Sequence, residues 1–252
     1  MSGRDNLCRE YGIIGENRDG TCAEEIVLPG RNLLPIPATL SFEEAAAVPL
    51  VFLTAWEMVV EKARVRPGET VVVLGAGSGV GSAAIQISRL HGARVIAVSG
   101  SAEKLARAKG LGAEEGIDLS RSRLREEVRR LTGKRGADVV VEHVGKATWE
   151  ESVASVARGG RLVTCGATTG AEVPLNLRQV FFKNLSILGS TMGSRALLFP
   201  IFRHLEAGRL RAVVDRVLPL DRIREAHGLL EERAVFGKII LTPQPAAPSS
   251  QL

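Results

Sequence analysis

Four glycines at alternate positions, Gly75, Gly77, Gly79 and Gly81, follow the apolar run Val71-Val72-Val73-Leu74. After them Val80, Ala83, Ala84, Ile87 and Leu90 recur at three- and four-residue spacing. The first run has the β-branched composition of a buried strand, and the second spacing gathers its apolar residues on one helix face. A strand, a glycine turn and a helix in that order can hold a pyrophosphate. Without Cβ atoms the backbone approaches the anion closely, and the helix N-terminus offers free N–H groups and a positive dipole end. Gly75, Ala76, Gly77, Ser78, Gly79, Val80 and Gly81 are therefore the candidate pyrophosphate residues. The strict G-x-G-x-x-G spacing is not met, since Gly75 and Gly77 are followed by Val80, and Gly77 and Gly79 by Ser82. A glycine turn alone also serves as an ordinary tight connection. A second buried-strand run, Val95-Ile96-Ala97-Val98, favours the dinucleotide reading.

Ser99 follows that second run, where an acid would bond the ribose 2′-OH of NAD. A serine there removes the charge that repels a 2′-phosphate, so the expected cofactor is NADP, with NAD the alternative. Ser99, Gly100 and Ser101 can surround the phosphate, with Lys104 or Arg107 as its cation. The plainer account is that Ser101 N-caps the next helix and Lys104 is solvated. Ser101-Ala102-Glu103-Lys104 also matches the S-x-x-K of some hydrolases, but its companion motifs are missing. Cys165-Gly166-Ala167 follows a strand end, where a small residue such as Gly166 allows close cofactor approach. Cys165 reads as a small buried residue and His143 as a packed one. No catalytic residue is assigned.

The elements that must position these residues alternate from Glu69 onward. Strands are expected at 71–74, 95–98, 138–142, 161–164 and 185–188, with a short one near 116–118. Helices are expected at 79–91, 102–110, 124–131 and 147–156. Continuous apolar strands separated by helices imply a parallel sheet covered on both faces, an α/β doubly wound fold. Ahead of it, Gly12, Gly15, Gly20, Pro29, Gly30, Pro35 and Pro37 punctuate short apolar pieces such as Ile26-Val27-Leu28, which read as strands and loops. Ser41-Phe42-Glu43-Glu44 reads as a capping box opening a helix over 45–47, which Pro49 ends. A second helix is expected over 53–63. After Gly189, helices at 196–207 and 223–232 precede a closing strand at 238–242, and 245–252 reads as a disordered tail.

Composition narrows the function. Of 252 residues 45% are apolar, enough for a substantial core, and only 4% are aromatic, too few for nucleic-acid stacking platforms. The net charge of +5 comes from 26 arginines and 7 lysines interleaved with acids, without a basic stripe. Nucleic acid and membrane are therefore not expected partners, and a cytoplasmic location is expected. Cys8, Cys22 and Cys165 are widely spaced and the four histidines are not clustered, so neither a disulfide framework nor a metal site is expected.

The order of a glycine- and proline-punctuated lead-in, a six-strand nucleotide domain and a returning strand resembles the medium-chain dehydrogenase/reductase superfamily. It is most similar to the zinc-type alcohol dehydrogenase and quinone oxidoreductase branches. Matching segments include Asn6-Leu7-Cys8, Ser41 to Trp56, Pro67-Gly68-Glu69-Thr70-Val71, the glycine turn, Lys104 to Gly112, Gly159-Gly160-Arg161, Gly189-Ser190-Thr191-Met192 and Phe236-Gly237-Lys238. The resemblance implies NAD(P)-dependent hydride transfer with an alcohol, carbonyl, quinone or enone, a small-molecule substrate and a homo-oligomer. It divides the chain into a partial GroES-like catalytic domain (1–50), a dinucleotide domain (51–190), a returning catalytic segment (191–243) and the tail (244–252). It places Thr54 near the nicotinamide and Lys238 near the pyrophosphate, although helix packing and a surface charge are the simpler roles. Family members carry a further stretch ahead of this lead-in. Cys8 matches one cysteine of their structural-zinc lobe, and Leu50 stands where zinc-dependent relatives place a ligand, so zinc is not expected. A noncatalytic NADP-binding or partner-binding module is the alternative.

Overall fold

The structure, a computed structural model, describes residues 3–243. Its centre is a six-stranded parallel sheet in the order β3-β2-β1-β4-β5-β6. The strands are β1 (Thr70–Val73), β2 (Arg94–Ser99), β3 (Glu115–Asp118), β4 (Ala137–Glu142), β5 (Val156–Thr164) and β6 (Ser186–Gly189). This is the doubly wound order, with the switch point between β1 and β4.

Alternation along β1 sorts its side chains between two cores. Val71 and Val73 face the side covered by α2 (Pro49–Trp56) and α3 (Gly79–Leu90), while Val72 points to the opposite side. There α5 (Leu124–Leu131) and α6 (Trp149–Ser155) supply Leu124, Val128, Trp149 and Val153. Apolar residues on both faces explain why these strands read as continuous runs. The remaining sheet helices are α4 (Ala102–Lys109), after β2, and α7 (Leu177–Lys183), before β6.

The structure corrects several expectations. The capping box is present, with the Ser41 hydroxyl accepting from the Glu44 N–H and opening α1 (Phe42–Ala46). Pro49 stands at the start of α2, where its missing N–H costs nothing, so it opens a helix as well as closing one. The expected helix over 53–63 begins earlier and continues from Trp56 as a π-helix, Glu57–Lys62. The lead-in forms short 3₁₀ turns and an isolated Ile14–Arg18 bridge, with no named strand among its described residues. Val27 is 98% exposed there. A short apolar run without a neighbouring ladder cannot pair its backbone groups as a strand. The helix α7 and the strand β7 (Val214–Pro219) were not anticipated. β7 pairs in parallel with β8 (Lys238–Thr242), joined by α9 (Ile223–Glu231), and α8 (Leu198–Glu206) packs against α2. Charged Asp215 and Arg216 and the terminal Pro219 hide β7 from a pattern search. The tail at 244–252 lies outside the described residues.

Candidate dinucleotide-binding site

The glycine turn leaves β1 at the switch point, and each of its glycines meets a different neighbour. Gly75 has φ +56°, and a Cβ on it would come 2.7 Å from the His143 ring. At Gly81 a Cβ would lie 2.2 Å from the Gly75 carbonyl oxygen, so the first turn of α3 sits directly against the strand end. Ser78 is the N-cap, its Oγ accepting from the Gly81 N–H at 2.9 Å. The N–H groups of Gly79 and Val80 precede the first intrahelical bond, which runs from the Ser82 N–H to the Ser78 carbonyl. They are the donors that an anion at this helix end would use.

Two lysine stems flank the turn. The Lys104 Cδ would lie 2.7 Å from a Cβ at Gly77, and the Lys238 Cδ 3.0 Å from one at Gly79. Lys104 Nζ donates to the Arg233 carbonyl at 2.5 Å. Arg107 bonds Asp215 at 3.1 Å and lies 4.3 Å over the Phe236 ring, so it braces the closing segment and is not a free cation beside Ser99. The same segment is clipped to the turn, with the Gly237 N–H donating to the Gly77 carbonyl at 2.9 Å. Sequence reading missed this clip, because nothing local in Phe236-Gly237-Lys238 says which turn its backbone meets.

Ser99 ends β2, and its Oγ accepts from the Ser101 N–H at 3.3 Å. The Ser101 hydroxyl caps α4 by accepting from the Lys104 N–H at 3.3 Å, as the plainer account expects, but Lys104 is not simply solvated, since its Nζ is bonded to the Arg233 carbonyl. Gly100 between them faces open space. Thr54 is buried in α2, where its hydroxyl donates to the Leu50 carbonyl at 2.8 Å and lies 3.5 Å from the Met192 sulfur. Gly166, beyond β5, lies against His143, since a Cβ there would be 3.3 Å from the His143 carbonyl oxygen.

Of the groups that resemble catalysts, Cys165 packs against the core and His143 lies against Gly75. Burial pushes the Cys165 thiol up to about 11, with the nearby Glu142 adding to it, so the thiol stays protonated at neutral pH. His143 Nε2 lies 2.9 Å from the Leu74 carbonyl, which only accepts, so Nε2 carries the proton. Burial lowers the His143 pKa below the usual 6.5. His204 is lowered likewise by burial, then by Arg209, His91 and Arg203, and its ring lies 5.6 Å from Trp56. With folded values below the unfolded one, the unfolded chain binds these protons first, and stability falls as pH drops through about 6.5. The melting temperature should therefore decrease between pH 7.5 and 5.5, with a shallower slope in His204→Gln. An unchanged slope in that variant would assign the loss elsewhere.

Glu142, fully buried at the end of β4, was read only as a strand residue. It accepts from the N–H groups of Val144 and Gly145, each at 3.0 Å, and from the Thr148 hydroxyl at 2.7 Å. It thereby fixes the loop that carries His143 against the glycine turn.

Comparison with known proteins places this geometry among oxidoreductases. Residues 79–206 match the zinc-binding dehydrogenase family model. The chain is 34% identical over 242 residues to quinone oxidoreductase-like protein 2 of Bos taurus, covering 91% of this chain and 69% of that protein. It superposes on a crystal structure of an NAD-dependent alcohol dehydrogenase with a TM-score of 0.91 at 56% identity, covering 95% of this chain and 70% of that one. A 2-octenoyl-CoA carboxylase reductase in complex with NADP and 2-octenoyl-CoA gives a TM-score of 0.77 at 31% identity, over 87% of this chain and 53% of that one.

Proposed function

This chain belongs to the zinc-binding dehydrogenase family of the medium-chain dehydrogenase/reductase superfamily, and we propose that it binds a nicotinamide dinucleotide for hydride transfer to or from an alcohol, carbonyl, quinone or enone. One observation carries the reading: the glycine turn at the β1–β4 switch point, with the Gly79 and Val80 N–H groups at a helix N-terminus and a lysine on either flank. When bound, the nicotinamide supplies the hydride chemistry, and the protein binds it, orients it and excludes water. Gly77 to Gly81 cradle the pyrophosphate and Lys238 neutralises it. Ser99 to Ser101 receive the adenosine ribose, while Gly166 and Thr54 border the nicotinamide half.

The end of β2 carries no acid, which supports NADP. Lys104 must leave the Arg233 carbonyl to reach a 2′-phosphate, and the 56%-identical relative is named NAD-dependent, which supports NAD as a second ligand. The residues do not fit a zinc site. Among the described residues no three His, Cys, Asp or Glu side chains are grouped to hold a metal.

Calorimetry with NADPH and NADH tests the reading. Both should bind, and Ser99→Asp should weaken NADPH at least tenfold, about 1.4 kcal/mol, through like-charge repulsion while sparing NADH. Absence of binding by either nucleotide overturns the proposal. An unchanged NADPH affinity in Ser99→Asp removes the ribose from this strand end.

A further inference from the structure

Two consecutive residues of the lead-in are tied to the loop that follows β6. The Asp5 carboxyl accepts from the Ser194 hydroxyl and, at 3.1 Å, from the Arg195 N–H. Asn6 Nδ2 donates to the Thr191 carbonyl at 3.3 Å. Burial acts to raise the Asp5 pKa, but the Ser194 hydroxyl, backbone N–H groups including that of Arg195, and the Arg195 charge outweigh it and hold the carboxyl below its ordinary range. It is therefore an ionised acceptor at neutral pH, and hydrogen bonds to ionised groups are the stronger kind.

The loop so held has an unusual backbone. Met192 has φ +47°, a conformation that L side chains adopt at a cost and keep only where their surroundings enforce it. The loop also touches α2: the Met192 sulfur lies 3.5 Å from the Thr54 hydroxyl, and a Cβ on Gly193 would meet Leu53 at 3.1 Å. The loop is thus held both by contacts from α2 and by the bonds from Asp5 and Asn6.

Position in the sheet gives the loop its meaning. In a doubly wound sheet a dinucleotide lies across the carboxyl ends of the strands, one nucleotide half on each side of the switch point. Ser99 stands on the β1-β2-β3 side, and the loop after β6 stands on the β4-β5-β6 side. We propose that Asp5 and Asn6 are positioning residues for the nicotinamide half of the cofactor, acting through the 191–195 loop without touching the cofactor themselves. The proposal rests on the dinucleotide reading above.

ADP, which offers the adenosine half and the pyrophosphate alone, separates this role from general damage. In the unaltered chain both ADP and NADH should bind. Asp5→Ala should leave the ADP dissociation constant within about twofold and weaken NADH about tenfold. Hydrogen exchange in 190–195 should speed up while β1 and β2 stay protected. Asp5→Asn, which keeps one acceptor oxygen, should fall between, and Asn6→Ala, which removes only the Thr191 bond, provides a milder variant should Asp5→Ala unfold. Equal weakening of ADP and NADH, or no weakening of either, overturns the positioning role. Failure of the unaltered chain to bind either ligand overturns the dinucleotide reading itself, and the positioning role with it.

Discussion

Gly81→Ala is expected to destabilise the chain by about 3 kcal/mol, the upper end of what overpacking costs, and to abolish dinucleotide binding. A single methyl there would stand 2.2 Å from the Gly75 carbonyl oxygen and 2.9 Å from its carbon. Both are backbone atoms, so no rotamer change relieves the clash. Relief requires α3 to withdraw from β1, which separates the Gly79 and Val80 N–H groups from the rest of the turn. For a domain of this size the loss corresponds to a melting temperature lower by roughly 6–12 °C. Gly79→Val provides the contrast. Its Cβ would meet the Val51 and Lys238 side chains at 2.7 and 3.0 Å, and side chains can move. That variant should keep its fold by circular dichroism and lose the nucleotide, because the added bulk stands at the anion donors. A Gly81→Ala chain that melts like the unaltered one would mean that the helix does not sit against the strand end.

The sheet was legible in the sequence because both of its faces are buried. Val71 to Leu74 and Val95 to Val98 read as strands from composition alone, and the helix periodicity between them required a parallel crossover. The glycine turn was legible because four glycines in seven positions have few structural explanations. The contacts that complete the site were not. The Gly237 clip on Gly77, the Arg107–Asp215 pair and the Asp5–Ser194 bond join residues far apart in the chain, and no local period announces them. Lys104 shows the same limit: motif spacing put it near a 2′-phosphate at Ser99, but its stem lies along Gly77 and its bond to Arg233 depends on where the closing segment returns. The lead-in misled for the opposite reason. Its apolar runs look like strands, but a strand is defined by its neighbour, and none is paired with them among the described residues.

Glu142 is a second position on which much of the site depends, and Glu142→Ala should cost about 3–4 kcal/mol. Neither the charge nor the length of the side chain is explained by an ion pair, since no Lys or Arg bridges to it among the described residues. Its work is to accept from the N–H groups of Val144 and Gly145 and from Thr148 in a fully buried place. Truncation leaves two backbone donors without an acceptor, at about 1–3 kcal/mol each, and opens a cavity besides. Thr148 can turn to the Gly145 carbonyl, already 3.4 Å away, so its hydroxyl adds little to the loss. The effect should spread to the next loop, because the Val144 carbonyl accepts from Thr169 Oγ1 at 2.7 Å and the Lys146 N–H donates to the Gly170 carbonyl at 3.1 Å. Hydrogen exchange should therefore accelerate together in 143–148 and 166–170, with a melting temperature lower by roughly 6–16 °C. Glu142→Gln keeps the volume and one acceptor oxygen, so it should lose about half as much. NADH affinity should fall with both changes, since His143 is packed against Gly75 by this loop. A Glu142→Ala chain of undiminished stability would mean that water replaces the carboxyl group, and that the loop is fixed by its bonds to 169–170 instead.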